Sequence, residues 1–311
     1  MAYTRKPRGY RRKPRYTRKR STRSVRRSRS TVRTRRYIRK RPMSKRSILN
    51  TTSRKKRDTM LAITNTAATG SPLPNTSPAY YVQGAVGAFS MWCATGRDLS
   101  TANGNVGSVA QTPVRTSTTA YMRGLSENLR ISTSSDIPWL WRRICFKHRG
   151  DTFTALQAGD TPTNPYITVS ETSAGIGRLW LNQAINTMGN TTSVQTSTLF
   201  KGVQNIDWRD IMTAPVDTAR VDLCYDRVRT FRSGNSRGTI QDVKMWHPMN
   251  KNLVYNDDEA GDVMTTNYYS VEDKRGMGDY YVCDIFAAGP NASTSDILRI
   301  DSTSSLYWHE K

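Results

Sequence analysis

The first 57 residues of the chain carry 26 basic residues, 19 Arg and 7 Lys, and no acidic residue precedes Asp58. Such a segment cannot bury enough apolar surface to offset the conformational entropy lost on ordering. Its like charges also repel one another. We therefore predict that residues 1–60 form a disordered Arg-rich arm, so the remainder of the chain has to supply the folded domain.

The positive charge of the protein is confined to this arm. The whole chain has 48 Lys and Arg against 24 Asp and Glu, which leaves 48 − 26 = 22 basic and 24 acidic residues in 58–311, a net charge of −2. A nearly neutral body of roughly 250 residues is long enough for one sizeable β domain. The arm and the body are therefore expected to have different tasks.

The pattern of the body is typical of an all-β protein. Short runs rich in Val, Ile, Thr, Tyr and Trp alternate with clusters of Gly, Pro, Asn, Asp and Ser. We predict a linker over 61–78 and, over 79–311, a single eight-stranded jelly-roll β-sandwich. A short helix is predicted at Asn205–Met212, and the predicted strands are Tyr80–Cys93, Tyr121–Ser132, Trp139–Lys147, Arg178–Asn182, Ala219–Thr230, Thr239–Trp246, Tyr280–Phe286 and Asp296–Ile300 continuing to Leu306–Trp308.

One predicted strand has a basic face. In "WLWRRICFKHR", Trp139–Arg149, alternation places Arg143, Lys147 and Arg149 on the same side, opposite a largely apolar side. We predict that these three residues contact nucleic acid; an ordinary solvated face is the alternative. The neighbouring "LSENLRIST" sets Glu127 among apolar residues, where a carboxylate needs a partner or an exposed position.

The arm itself is predicted to bind nucleic acid. A flexible polycation binds phosphates by releasing condensed counterions, so its affinity falls steeply with salt and carries little base-sequence information. The excess of Arg over Lys favours forked phosphate contacts and stacking on unpaired bases. The predicted contacts are Arg5, Lys6, Arg8, Arg11, Arg12, Lys13, Arg15, Arg18, Lys19, Arg20, Arg23, Arg26, Arg27, Arg29, Arg33, Arg35, Arg36, Arg39, Lys40 and Arg41.

The end of the arm has a further predicted role. The cluster Arg54, Lys55, Lys56 and Arg57 fits a nuclear localisation signal, as do the denser basic clusters upstream. The predicted partner is a host nuclear import receptor. Import and nucleic-acid binding can share residues because they occur at different times.

No arrangement typical of an enzyme is found in the sequence. The three histidines do not form HxH or HExxH patterns, and neither GxxxxGK[ST] nor GxSxG occurs. We expect no enzymatic activity, no cofactor and no metal. No stretch of the sequence approaches the roughly 18 consecutive apolar residues that a membrane span needs, so no membrane partner is expected.

One acidic loop, "YNDDEAGD" (Tyr255–Asp262), is the weak candidate for a metal site in this sequence. Its carboxylates resemble part of a calcium loop, but Ala260 occupies a ligand position and the final Glu is missing. A cation site at a subunit contact is one interpretation; a solvated loop, or one that pairs with a neighbour's arginines, is the other. The candidate ligands are Asp257, Asp258, Glu259 and Asp262.

Three segments together resemble a known family. The arm ending in "RKKRDTML" (Arg54–Leu61), "WHPMNKNLVYNDDEAGD" (Trp246–Asp262) and the terminal "LYWHEK" (Leu306–Lys311) look like the capsid proteins of genomoviruses (gemycircularvirus-like). These are small viruses with circular single-stranded DNA, distantly similar to geminiviruses. The resemblance implies a jelly roll, an icosahedral particle, packaging of single-stranded DNA and assembly in the host nucleus.

Two functions follow from these observations. The first is a viral coat protein that self-assembles into an icosahedral T=1 shell of about 60 subunits, found in the virion and in the host nucleus. The alternative is a non-capsid nuclear shuttle or movement protein, in which the same arm binds nucleic acid but the body closes no shell. Particle size separates the two.

Overall fold

The computed structural model describes residues 43–76, 78–165 and 168–311. The twenty predicted nucleic-acid contacts from Arg5 to Arg41 lie outside the described residues. Residues 45–311 form a single unit in which most elements are strands. The predicted all-β class is therefore confirmed.

The described residues form sixteen strands, two α-helices and one 3₁₀ turn at Gln183–Ile185. The helices are α1 (Lys45–Thr52) and α2 (Gly189–Leu199). The strands are β1 (Arg54–Met60), β2 (Ala62–Thr66), β3 (Pro72–Thr76), β4 (Tyr80–Gln83), β5 (Ala88–Cys93), β6 (Thr119–Thr133), β7 (Trp139–His148), β8 (Glu171–Thr172), β9 (Gly175–Ile176), β10 (Arg178–Trp180), β11 (Asp222–Phe231), β12 (Ile240–Val254), β13 (Asp258–Ala260), β14 (Val263–Thr265), β15 (Asp279–Ala288) and β16 (Ile297–Glu310).

Two antiparallel sheets form the sandwich. Sheet 1 has the order β1–β16–β6–β12, with β4 pairing with the other half of β16; sheet 2 has the order β11–β7–β15–β5. Apart from β1, which adds a ninth strand at the edge of sheet 1, the strands are β4, β6, β12 and β16 in sheet 1 and β5, β7, β11 and β15 in sheet 2. This is the eight-stranded jelly-roll arrangement.

The two sheets differ in what covers them. Their facing sides enclose a core that includes Trp92, Trp141 and Trp308. The opposite side of sheet 2 is also buried, because the segment between β7 and β11 packs Phe153 and Phe200 against it. The opposite side of sheet 1 is exposed along β6 and β12. Sheet 1 therefore provides the solvent-facing surface of the sandwich.

The predicted domain boundary is wrong. Residues 54–60 of the predicted arm form β1, which pairs with β16 from Arg54↔Glu310 to Met60↔Ser304. The predicted linker contains β3 and the fully buried β2, which pairs with β10. Long-range pairing of this kind leaves no local signal, because β1 on its own reads as a charged, polar segment.

The helix prediction is also wrong. Residues 205–212 form turns, in which the carboxylate of Asp207 accepts a hydrogen bond from the backbone N–H of Val203 at 2.7 Å. The helix α2 was not predicted, because "GNTTSVQTSTL" is rich in residues with poor helix propensity. It is held by tertiary contacts: Asp160 accepts bonds from the N–H groups of Asn190 and Thr191, which begin the helix.

Candidate nucleic-acid interface

Arg143, the central residue of the predicted basic face, is buried inside the sandwich. Its side chain is 2% exposed and forms ion pairs with Glu127 and Asp284. Arg178 from β10 bonds to the same two carboxylates, at 3.1 Å to Glu127 and 2.5 Å to Asp284. Two positive and two negative side chains therefore form a closed network between the sheets, which we call the buried ion network.

Every charge in this network has several partners. Asp284 accepts hydrogen bonds from Arg143 Nε at 2.7 Å and from the indole Nε1 of Trp141 at 2.8 Å. The guanidinium of Arg178 lies between two tryptophan rings, 4.3 Å from Trp92 and 3.8 Å from Trp180. Burying four charges is costly unless they are paired and hydrogen-bonded. The partner that Glu127 requires is therefore supplied by β7 and β10.

The protonation of the network agrees with this geometry. Burial by itself would raise the pKa of Glu127, but Arg143 and Arg178 outweigh it and lower the pKa to about 2. Burial likewise opposes the charge of Arg143, yet Asp284 and Glu127 raise its pKa above the ordinary value. The charges of Arg143 and Arg178 are therefore neutralised inside the fold by Glu127 and Asp284. The prediction that Arg143 contacts nucleic acid is wrong.

His247 lies beside the network and makes stability depend on pH. Burial lowers its pKa from 6.5 to about 4, and Arg143 acts in the same direction. Since the folded state then binds fewer protons, the stabilisation is complete above pH 6.5 and is lost as the pH falls toward 4. We expect this residue to account for a loss of about 3 kcal/mol in unfolding free energy.

Urea titrations of the wild type and of His247→Phe at pH 7 and pH 4 measure this effect. Phenylalanine keeps an aromatic ring next to Tyr225, which lies 5.1 Å away between centroids. The carboxylates titrate in both proteins, so the difference between them isolates the imidazole. An equal pH dependence in both proteins would contradict the assignment.

The other two residues of the predicted basic face are also engaged. Lys147 is 8% exposed and its amine forms an ion pair with Asp222 on the adjacent β11. Arg149 is half-buried and donates to the carbonyl oxygen of Gly276 at 2.7 Å. The prediction of an open basic face on this strand is therefore wrong, because sheet 2 is covered on both sides.

The predicted nuclear localisation cluster is part of the sandwich. Arg54, Lys55, Lys56 and Arg57 all belong to β1 and pair with β16. The amine of Lys56 is buried and donates to three backbone carbonyls, at 2.7, 3.0 and 3.3 Å. Lys56 is therefore buried in the folded chain, and the four residues form a strand of the sandwich rather than the end of a disordered arm, with Arg54, Lys55 and Arg57 exposed.

The four carboxylates of the acidic loop do not come together as one cluster in the part of the chain that the structure describes. The side chain of Asp257 is fully buried and forms a bidentate ion pair with Arg115, at 2.5 and 2.9 Å. Asp258, Glu259 and Asp262 lie on or next to the exposed β13–β14 hairpin. Residues 43–76, 78–165 and 168–311 contain no cluster of three or more His, Cys, Asp or Glu able to hold a metal.

The structure shows a basic and aromatic surface that was not predicted. On the exposed side of sheet 1, strand pairing sets Trp246 beside Ser126, Ser126 beside Ser305, and Arg57 beside Tyr307. We call this surface the Trp246 face; it comprises Lys55, Arg57, Arg123, Lys244, Trp246 and Tyr307. The alternation of Lys244, Trp246 and Pro248 along β12 was its only local signal.

No protein-family model and no curated protein matches this chain. Among the described residues, neither helix is long and apolar enough to cross a bilayer.

Proposed function

We propose that this chain is the coat protein of a small virus with circular single-stranded DNA, of the genomovirus kind. Its jelly roll forms the wall of an icosahedral T=1 shell of about 60 subunits, and its arm binds the packaged genome. The observation that carries the proposal is the separation of roles in one chain: residues 1–44 carry 20 basic and no acidic residues, whereas the jelly-roll unit, residues 45–311, carries 48 − 20 = 28 basic and 24 acidic residues, a net charge of +4.

The charges of the body support this division. Its most buried arginines, Arg115, Arg143 and Arg178, are all paired with carboxylates inside the fold. A body that neutralises its own charges can pack against copies of itself without strong repulsion. The arm is then the main source of phosphate affinity, and it neutralises the genome.

Import into the host nucleus follows from the same arm. Because Arg54–Arg57 is folded into β1, we assign the import signal to the basic clusters upstream of it, within Arg5–Arg41. The partners are thus a single-stranded DNA genome, a nuclear import receptor and further copies of the chain. No catalytic role is proposed.

Sedimentation velocity of the full-length protein after nuclease treatment, followed at 260 and 280 nm, tests the proposal. Sixty copies of a 35.2 kDa chain should give one boundary of about 2 MDa that carries protected nucleic acid. A small species that loses its nucleic acid in high salt would overturn the shell and favour a nuclear shuttle or movement protein.

A further inference from the structure

We propose that the Trp246 face is a second nucleic-acid site, where an unpaired base of single-stranded DNA stacks on Trp246 and the flanking phosphates meet Arg57 and Lys244. This site lies on the folded body and is separate from the arm. Only the choice of ligand rests on the proposed function. It is carried by three observations: an exposed indole that contacts a half-buried tyrosine, unpaired cations around them, and carboxylates engaged elsewhere.

The aromatic pair consists of Trp246 and Tyr307. The indole is 49% exposed, and the two ring centroids lie 5.8 Å apart in an edge-on arrangement. Beneath the indole is Gly124, where a Cβ atom would come within 2.7 Å of Trp246 Cζ2. The glycine lets the ring lie close against the backbone of β6, which fixes it as a platform rather than a mobile side chain.

Cations surround this platform. Arg57 lies 5.4 Å from the ring centroid of Tyr307 and bonds to the hydroxyl of Ser305 at 3.3 Å. Arg123 donates to the amide oxygen of Asn250. Lys244 is exposed and lies two residues before Trp246 in β12, on the same side of the strand. Among the described residues, none of these three has a carboxylate within ion-pair distance.

The carboxylates on the same side of sheet 1 are engaged with other arginines. Asp242 forms a bidentate ion pair with Arg130, at 2.8 and 3.2 Å. Asp301 accepts a hydrogen bond from Arg299 at 3.0 Å. The pKa of His309 is lowered by burial and then by Lys55 and Arg123, which agrees with uncompensated positive charge at this end of the surface. The Trp246 face therefore favours an anion.

The combination selects unpaired bases. Cations alone bind any phosphate chain, single or double. An indole platform adds affinity only for a base whose face is free, worth about 1–3 kcal/mol per base. Bases in a duplex are already stacked and present only their edges. Contact between two copies through this face is disfavoured, because it would bring like charges together.

The test uses Trp246 as its own reporter. The chain has seven tryptophans, and the other six are at most 8% exposed. Acrylamide quenching of the full-length protein therefore reports on Trp246. We expect a 10-nucleotide single strand to protect this indole, whereas a duplex and an abasic strand of equal length should bind through the arm and leave it accessible.

Two matched pairs of variants complete the test. Trp246→Ala should weaken binding of the single strand by roughly tenfold, while Ile206→Ala, which removes an exposed apolar side chain elsewhere, should leave affinity unchanged. Lys244→Gln should flatten the dependence of log affinity on log salt by about 0.7. Lys201→Gln removes an exposed lysine distant from this face and should not change that slope.

Three outcomes would overturn the inference. An indole that stays accessible while the strand is bound shows that the arm alone binds DNA. Equal protection by the abasic strand shows that bases play no part. Protection in DNA-free particles shows a contact between copies. None of these bears on whether sedimentation finds a shell, so failure of the site and failure of the proposed function are distinguishable.

Discussion

Asp284→Asn should lower the free energy of unfolding by about 3–5 kcal/mol. The substitution keeps the shape of the side chain but removes a charge that faces both Arg143 and Arg178. The buried ion network would then hold two positive charges against Glu127 alone, at a site where the four side chains are at most 2% exposed to solvent. An uncompensated buried charge is far more costly than a lost surface contact.

The control is the same substitution in an exposed ion pair. Asp242→Asn breaks a pair with Arg130, in which the two side chains are 60% and 62% exposed, and should cost at most about 1 kcal/mol. Urea unfolding of both variants at pH 7 and equal salt provides the comparison. If the Asp284 variant does not fold, Glu127→Gln, which also leaves one unpaired positive charge, serves in its place. Similar losses for the buried and the exposed substitution would show that the network is not a principal source of stability.

The buried ion network is a feature that the sequence pattern alone does not predict. The strand pattern correctly indicated the all-β class and most of the strands of the two sheets. Period-two alternation shows which side chains share a face, but not what covers that face. The sequence pattern predicts that Arg143 is exposed to solvent, because its partners Glu127 and Asp284 lie on strands that only the fold brings together. The charged residue among apolar neighbours, Glu127, was the one local indication that a buried partner existed.

Pairing between distant strands explains the other differences. In the sequence Lys56 belongs to an exposed-looking basic cluster, yet β1 forms an edge of sheet 1. Its partner, β16, lies roughly 250 residues later in the chain, so no residue near Lys56 in the sequence indicates the pairing. The Trp246 face likewise depends on register: Trp246, Ser126 and Ser305 become neighbours only when β12, β6 and β16 align. Three separate segments form this surface, and no single one of them marks it as a site.

Deletion of residues 2–42 should abolish DNA packaging while leaving the folded body intact. The deletion removes twenty basic residues and no acidic ones, so the formal charge falls from +24 to 24 − 20 = +4. With most counterion release lost, affinity for single-stranded DNA near 0.15 M salt should fall by about a thousandfold or more. The folded unit begins at Lys45, so its unfolding free energy should change little.

A scrambled arm separates charge from sequence. Shuffling residues 2–42 keeps composition, length and charge, and a polycation that reads phosphates rather than base edges should retain affinity, salt slope and packaging. The measurements are the 260/280 nm ratio of nuclease-treated particles and fluorescence anisotropy of a labelled oligonucleotide across a salt series. Full packaging by the deletion variant would move genome binding to the folded body, with the Trp246 face as its first candidate. Loss of packaging on scrambling would show that the arm is read as a specific sequence, which a purely electrostatic mechanism does not allow.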